Sequence, residues 1–343
     1  MITFTIPTWN RADKLRVCLN SLIGQINEVA DNIQIRVYNN ASDDGTEEVL
    51  KEFKENFPHL LDYRNGIGHV LGAESFKRAF LMAETEWLWM FGDDDILAPN
   101  GLKKVLEYIK RKDIEFIHAA EVTRVANEER IYCATTFELC SGFGFTEMTG
   151  FMSGNICKAK KLQAVLNSPE CSKYQESSFF QSLIIMDAFS DSKAAFMNAP
   201  IVDLQEREQT YETCVRWAAE DTLLKYSNTA EGLQILRDKG RIPEKLPDDF
   251  FRYLEGNLFA KIMFNLYDHY SNKIEYVDAK YWEYLYSMTE FLNDKTHMVE
   301  TIGNFRREFD EYIKAKKAAD KQLIKVQEAH DPSITVVYPF SYV

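Results

Sequence analysis

The stretch Glu86-Trp87-Leu88-Trp89-Met90-Phe91-Gly92-Asp93-Asp94-Asp95-Ile96-Leu97 decides how the chain is read. Its first half is apolar and holds three aromatics between Glu86 and Phe91, which predicts a strand buried on both faces. Its second half sets three carboxylates side by side where that strand ends. Adjacent carboxylates repel one another, and placing them beside a buried strand is costly unless a cation or hydrogen-bond donors compensate. Mg²⁺ or Mn²⁺ does so well, taking one or two carboxylates together with phosphate oxygens of a substrate. The competing reading is a solvated acidic turn that caps the helix opened by Pro99; the place after a strand in a β-α series favours the metal.

Upstream, the same alternation repeats. Strands are expected at Ile2–Pro7, Ile33–Tyr38 and Leu61–Arg64, and after the acidic stretch at Ile114–His118. Between them lie helices from a cap at Asn10 to about Gly24, over Glu47–Phe57, Ala73–Ala83 and Gly101–Lys112. Such alternation predicts an α/β fold, a mostly parallel twisted sheet with helices on both faces. Ligands of these sheets bind beyond the carboxyl ends of the strands. Three of those ends carry polar clusters, Thr8–Arg11, Asn39–Asp44 and Asp93–Asp95, which should converge.

Further along, Val122–Val125 and Arg130–Cys133 read as a hairpin, Ser141–Gly150 as a loop, and Phe151–Cys157 as a strand. Lys158–Leu166 and Ser177–Phe189 read as helices, with Ala194–Met197 and Ile201–Leu204 as closing strands. Beyond about residue 210 the pattern is helical, over Phe250–Tyr270, Ala279–Leu292 and Met298–Ala329, with a short strand at Thr335–Tyr338.

The 343 residues carry a net charge of -13, which argues against a general nucleic-acid binder. The six cysteines form no C-x-x-C pair and are expected to be buried free thiols. The six histidines show no metal-ligand spacing, and there is no G-x-G-x-x-G or G-K-[ST] loop, against a dehydrogenase or a P-loop kinase. The first residues lack the basic and apolar regions of a signal peptide, and no stretch reaches the ~18 apolar residues of a membrane span. The expectation is a cytoplasmic protein, with peripheral contact to the inner membrane face left open. That contact is suggested by Lys314, Lys316, Lys317, Lys321 and Lys325 on one helical stretch, opposed only by Asp320. A solvated face is the commoner reading, and a helical homodimer contact a third.

Four segments together resemble the family 2 glycosyltransferases of the GT-A fold, which use nucleotide-diphosphate sugars. They are Thr3–Arg11, Val37–Thr46, Asn65–Gly68 and Glu86–Pro99, similar in order to the family's first strand and loop, its second strand end, its N-x-G turn and its D-x-D region. The L-G-D-D-D-like form is similar to a bacterial branch that includes abequosyltransferase-like enzymes. The likeness covers residues 1 to about 115 well and 116–205 loosely.

This resemblance implies a GT-A catalytic domain over residues 1–210, with its nucleotide-sugar half in 1–115 and its acceptor half in 116–210, followed by a helical region over 211–343. It implies a Mn²⁺ or Mg²⁺ cofactor, Asp94 as the metal carboxylate, Asp93 facing the ribose or the metal, and Asp95 orienting its neighbours. Pro7 and Thr8 would shape the base pocket. Asn39 stands where the family commonly has an Asp that reads the base; its amide can still pair with a pyrimidine edge, so uridine, thymidine and cytidine stay open. Arg11 either anchors the nucleotide or pairs with Asp43. Lys77 and Arg78 either reach the pyrophosphate or form a solvated helical face. An inverting transferase needs a base for the acceptor hydroxyl. Glu176 falls in the family's window and Asp187 is second, although the usual E-D pair is missing; a first-turn carboxylate is an equal reading of Glu176. Ser153 and Gly154 are expected to line the acceptor side, for a saccharide or lipid-linked saccharide. The alternatives are a non-catalytic nucleotide-sugar or glycan-binding protein and, further off, a nucleotidyltransferase.

Overall fold

A computed structural model describes residues 1–29, 32–110, 113–122, 128–177, 179–205, 228–255, 282–283 and 286–328. One nine-stranded sheet organises them: β1 (Ile2–Thr8), β2 (Ile33–Asn39), β3 (Leu61–Asn65), β4 (Trp87–Met90), β5 (Asp95–Leu97), β6 (Phe116–Glu121), β7 (Arg130–Thr135), β8 (Asn155–Lys158) and β9 (Lys193–Leu204). The order is β3-β2-β1-β4-β8-β6-β9-β5, with β7 added against β9. The first four run parallel; β6 and β9 share their direction, while β8, β5 and β7 oppose it. The expected α/β fold with a mostly parallel sheet is therefore found.

All seven residues of β1 and all four of β4 are buried, as central strands covered on both faces require. Pro7 is tolerated in β1 because β4 pairs only as far as Thr5↔Met90, so no ladder bond toward β4 is lost there. Side chains of β4 alternate between two cores. Trp87, Trp89 and Phe91 pack with α1 (Ala12–Ile26), α2 (Thr46–Asn56) and α4 (Gly101–Ile109). Leu88 and Met90 face α3 (Gly72–Phe80), α5 (Thr136–Phe143), α6 (Phe145–Thr149), α7 (Ala159–Leu166), α8 (Cys171–Tyr174), α9 (Phe180–Phe189) and α10 (Thr229–Asp238). A last helix, α11 (Thr296–Glu328), lays Met298, Ile302 and Phe309 on this second core.

Several expectations change. Arg130–Thr135 pairs with β9 along its whole length, because the antiparallel partner it fits is the edge of the main sheet; residues 123–127 of the expected hairpin lie outside the described residues. Ser141–Gly150 is helical rather than a loop, since Thr135 and Glu138 form a reciprocal cap that starts α5, and α6 follows Gly144. The two closing strands are one, β9, with a register shift opposite Ala119–Glu121. Asp95–Leu97 forms β5, a strand the acidic composition concealed. Most of Phe250–Tyr270, part of Ala279–Leu292 and all of Thr335–Tyr338 lie outside the described residues, as does Cys214. The five described cysteines are free, and four of them are buried. No described helix is long and apolar enough to cross a membrane.

Candidate active site

The parallel register brings the three polar strand ends together. Thr8 pairs with Asn39 and Asn39 with Asn65, and the Asn40 N–H donates to the Thr8 carbonyl at 2.9 Å. The loops leaving β1 and β2 then tie to each other. Asn10, at φ 52, donates from Nδ2 to Asp43 Oδ1 at 2.6 Å, and Asp43 N–H returns a bond to Asn10 Oδ1 at 2.9 Å. Asp44 Oδ2 accepts from the Ala12 N–H at 3.1 Å, so the start of α1 is capped from the neighbouring loop. Asn10, expected as that cap, is instead the link to Asp43.

These ties leave Arg11 aimed at the turn after β4. Its Nη1 lies 2.8 Å from Asp93 Oδ1 and 3.0 Å from Asp94 Oδ2. Of its two expected roles, pairing with Asp43 is thus replaced by pairing with the acidic turn. Asp93 is 5% exposed. Burial pushes its carboxyl up to about 6; Arg11 offsets part of that and the Asp94 charge adds to it. Asp95 points elsewhere, its Oδ2 accepting from the Ser153 hydroxyl at 2.5 Å. Gly92 permits the crowding, because a Cβ there would sit 2.7 Å from Asp95 Oδ2 and 3.1 Å from Asp94 Oδ1.

The arrangement fits a hard cation. Two carboxylate oxygens from adjacent residues already converge on one positively charged atom. No group of three His, Cys, Asp or Glu side chains able to hold a metal occurs among the described residues. The acidic turn offers two converging oxygens, a number that suits Mg²⁺ or Mn²⁺ completed by substrate phosphate and water.

Asn39 is 2% exposed and engaged at both ends, donating to Asn65 Oδ1 at 2.9 Å and accepting from the Ser42 N–H at 3.1 Å. One N–H and one lone pair of its amide remain for a base. Pro7 and Thr8 end β1 beside it, both buried. On α3, Arg78 is spent on Glu74 (2.7 Å) and the Tyr38 hydroxyl (2.8 Å), while Lys77 leans toward the Cys171 thiol. Neither cation is brought to the acidic turn.

Glu176 follows α8 and is exposed, with Lys173 at 3.6 Å. Its neighbour Gln175 donates to Glu74 Oε2 at 2.7 Å in the first turn of α3, which ties this segment to the helix that packs on β1 and β2.

Two expectations are corrected. Asp187 is fully buried on α9, where it accepts from the Tyr174 hydroxyl at 3.0 Å and pairs with Lys239 and with Arg241 at 3.2 Å. With Lys161 these cations line a small cleft of about 220 Å³. Lys161 bonds Glu115 and Ser192 beside the beginnings of β6 and β9, the sheet end opposite Asp93, so Asp187 is a neutralised structural carboxylate remote from the turn. Ser153 is fully buried as well, and Gly154 is buried beside it. A Cβ on Gly154 would meet the Ala119 carbonyl and His118 at 2.7 Å, so that glycine serves close packing on β6 and gives no acceptor surface.

Two contributors escaped the sequence. Asn40 is buried and closes the site's rim by bonding Val70 through both N–H and carbonyl groups, at 3.0 and 2.9 Å; the tandem Asn39-Asn40 at a strand end was the available signal. Trp9 packs against His69 with ring centroids 4.1 Å apart and the planes tilted by 40°, a contact between loops 60 residues apart that no local pattern announces.

Residues 3–148 match the family model described as "Glycosyl transferase family 2". Over 144 residues the chain is 31% identical to the abequosyltransferase RfbV of Salmonella typhimurium strain LT2. That match takes in 40% of this chain and spans 43% of the relative's length. Among solved structures, the first 349 residues of S. aureus TarS align at 15% identity with a TM-score of 0.49, covering 92% of this chain and 91% of that one. The mannosyltransferase PcManGT from Pyrobaculum calidifontis aligns at 15% identity with a TM-score of 0.49, covering 94% and 86%. Residues 3–148, which hold the converging loops and the acidic turn, are thus the part of the chain that matches glycosyl transferase family 2.

Proposed function

We propose that the chain is a metal-dependent glycosyltransferase that moves a sugar from a nucleotide-diphosphate donor to a saccharide or glycolipid acceptor, with inversion, in bacterial surface polysaccharide synthesis. The observation that carries this reading is the convergence of Asp93 Oδ1 and Asp94 Oδ2 on one cationic atom, at the carboxyl ends of parallel strands in a family 2 domain. The name of the abequosyltransferase relative supports the polysaccharide context. Residues 1–210 form the catalytic domain in this reading and 211–343 a mainly helical C-terminal region.

Asp93 and Asp94 would hold Mn²⁺ or Mg²⁺, which neutralises charge growing on a leaving diphosphate. The chain's own part is orientation. Thr8, Asn39 and the adjoining main chain bind the nucleoside, and Arg11 swings between the carboxylates and the diphosphate. Glu176 accepts the proton of the acceptor hydroxyl on a carboxylate oxygen, leaving that hydroxyl oxygen free to attack the sugar carbon. Holding both substrates in line and excluding water supplies the remainder.

The test is thermal stability against UDP, TDP, CDP and GDP, each with and without Mn²⁺. A ligand bound only to the native state raises Tm by mass action. The reading predicts a rise for one nucleotide that needs metal and disappears in Asp94→Ala. No rise with any of the four would overturn the donor site and leave a glycan-binding protein as the better account.

A further inference from the structure

We infer that Ser153 is a positioning residue for the acidic turn, and that Asp95 is the anchor it grips rather than a third carboxylate offered to the cation. The inference rests on the metal reading given above.

Ser153 sits in the 3-10 turn Met152–Gly154 that leads into β8, and it is inaccessible to solvent. A serine hydroxyl has one hydrogen and two lone pairs. Here the hydrogen goes to Asp95 Oδ2 at 2.5 Å and a lone pair accepts the Gly92 N–H at 2.7 Å. One oxygen thus grips both ends of the turn Gly92–Asp95. The turn's own closing bond, Asp95 N–H to the Gly92 carbonyl, is long at 3.4 Å. The side-chain clamp therefore holds what the backbone holds weakly.

The clamp is itself fixed. The Ser153 carbonyl accepts the Trp89 indole N–H at 2.7 Å, tying it to β4. Asn155, two residues on, donates to the Thr149 carbonyl at 2.8 Å and lies 3.0 Å from His118 Nδ1. Gly154 packs so closely on β6 that the segment has no room to slide. The three aspartates consequently divide: Asp93 and Asp94 direct oxygens at Arg11, and Asp95 directs one at Ser153. Losing the clamp would let the turn open and spread the two outward carboxylates.

The test titrates the full-length chain with Mn²⁺ alone, following free Mn²⁺ by electron paramagnetic resonance, with melting in chelator as the folding control. Asp94→Asn should weaken Mn²⁺ by a hundredfold or more. Ser153→Ala should weaken it about tenfold, the scale for removing a residue that orients a metal ligand. Asp95→Asn keeps an acceptor for the hydroxyl and should lose no more than Ser153→Ala does. The double variant Ser153→Ala with Asp95→Ala should bind as Asp95→Ala alone, because both act through one contact. A folded Ser153→Ala that binds as the wild type overturns the inference, and so does an Asp95→Asn that loses as much as Asp94→Asn. Should Ser153→Ala not fold, the Asp95→Asn comparison decides alone. A folded wild type that binds no Mn²⁺ fails the metal reading itself and takes this inference with it; the two failures are told apart by the wild-type titration.

Discussion

Arg11 Nη1 stands 2.8 Å from Asp93 Oδ1, across the groove between the loop that leaves β1 and the turn that leaves β4. The carboxylate is buried and the guanidinium is 41% exposed, so the pair is asymmetric: removing the cation strands a desolvated anion, whereas removing the anion strands little. Arg11→Gln should therefore lower Tm in chelator by about 2–6 °C, from ~1–2 kcal/mol discounted for the exposure of the arginine. Mn²⁺ should then raise Tm more in the variant than in the wild type, because the ion replaces the missing positive charge. Equal Mn²⁺ increments in the two proteins would mean that arginine and metal do not share a place.

Asp93 itself gives a pH signature. Its carboxyl is raised from 3.8 to about 6 by burial, against the pull of Arg11. For an acid with a raised folded pKa, the native state holds the proton more tightly than the unfolded chain. Its ionised form then costs stability above about pH 6, and the cost fades as pH falls toward 4. Asp93→Asn removes this dependence. In metal-free buffer the Tm difference, variant minus wild type, should grow as pH rises from 4 to 6 and level off above. A difference that is flat over this window would show that Asp93 titrates normally.

Much of this site was legible because parallel β-α repeats place strand ends predictably. Thr8, Asn39 and Asp93 each follow an apolar run, and register alone makes them neighbours. What was not legible depended on contacts between distant segments. Arg11 could not be told from an Asp43 partner, because that choice hangs on Asn10 occupying Asp43 first. Ser153 was expected to line the acceptor side, because its 58-residue reach to Asp95 is fixed only by the β4–β8 pairing. Asp187 looked like a second candidate base because the sequence hides Lys239 and Arg241, which approach it from 52 and 54 residues away.

The two carboxylates expected as bases should now separate cleanly. Glu176 is exposed, so Glu176→Gln should leave Tm unchanged and, once donor and acceptor are in hand, lower kcat by about 10²–10⁴. Asp187→Asn should do the reverse, lowering Tm with turnover per folded molecule retained. Lys239→Met with Arg241→Met should destabilise more than Asp187→Asn, by about 3 kcal/mol or more, because it leaves a fully buried anion while the cations, being partly exposed, keep some hydration. A loss of kcat in Asp187→Asn without loss of Tm would restore it as a catalytic candidate.

Gly92→Ala tests whether the shape of the turn or merely its charge is what matters. The added methyl carbon would lie 2.7 Å from Asp95 Oδ2, 3.1 Å from Asp94 Oδ1 and 3.2 Å from Ser153 Oγ. These atoms cannot all retreat: Asp95 and Ser153 are held to each other, and Ser153 is held to Trp89. Asp94 is freer, with a side chain 21% exposed, and should turn away from Arg11 to clear its own contact, while the shorter contact with Asp95 Oδ2 strains the clamp and tilts the turn. The expected result is a modest loss of stability, about 1–3 kcal/mol as for other overpacked sites. Mn²⁺-dependent stabilisation by nucleotide should fall far more steeply, because all three carboxylates remain but two no longer converge. If Gly92→Ala kept the full metal-dependent shift, negative charge alone would suffice and the geometry of the turn would not be what binds the cation.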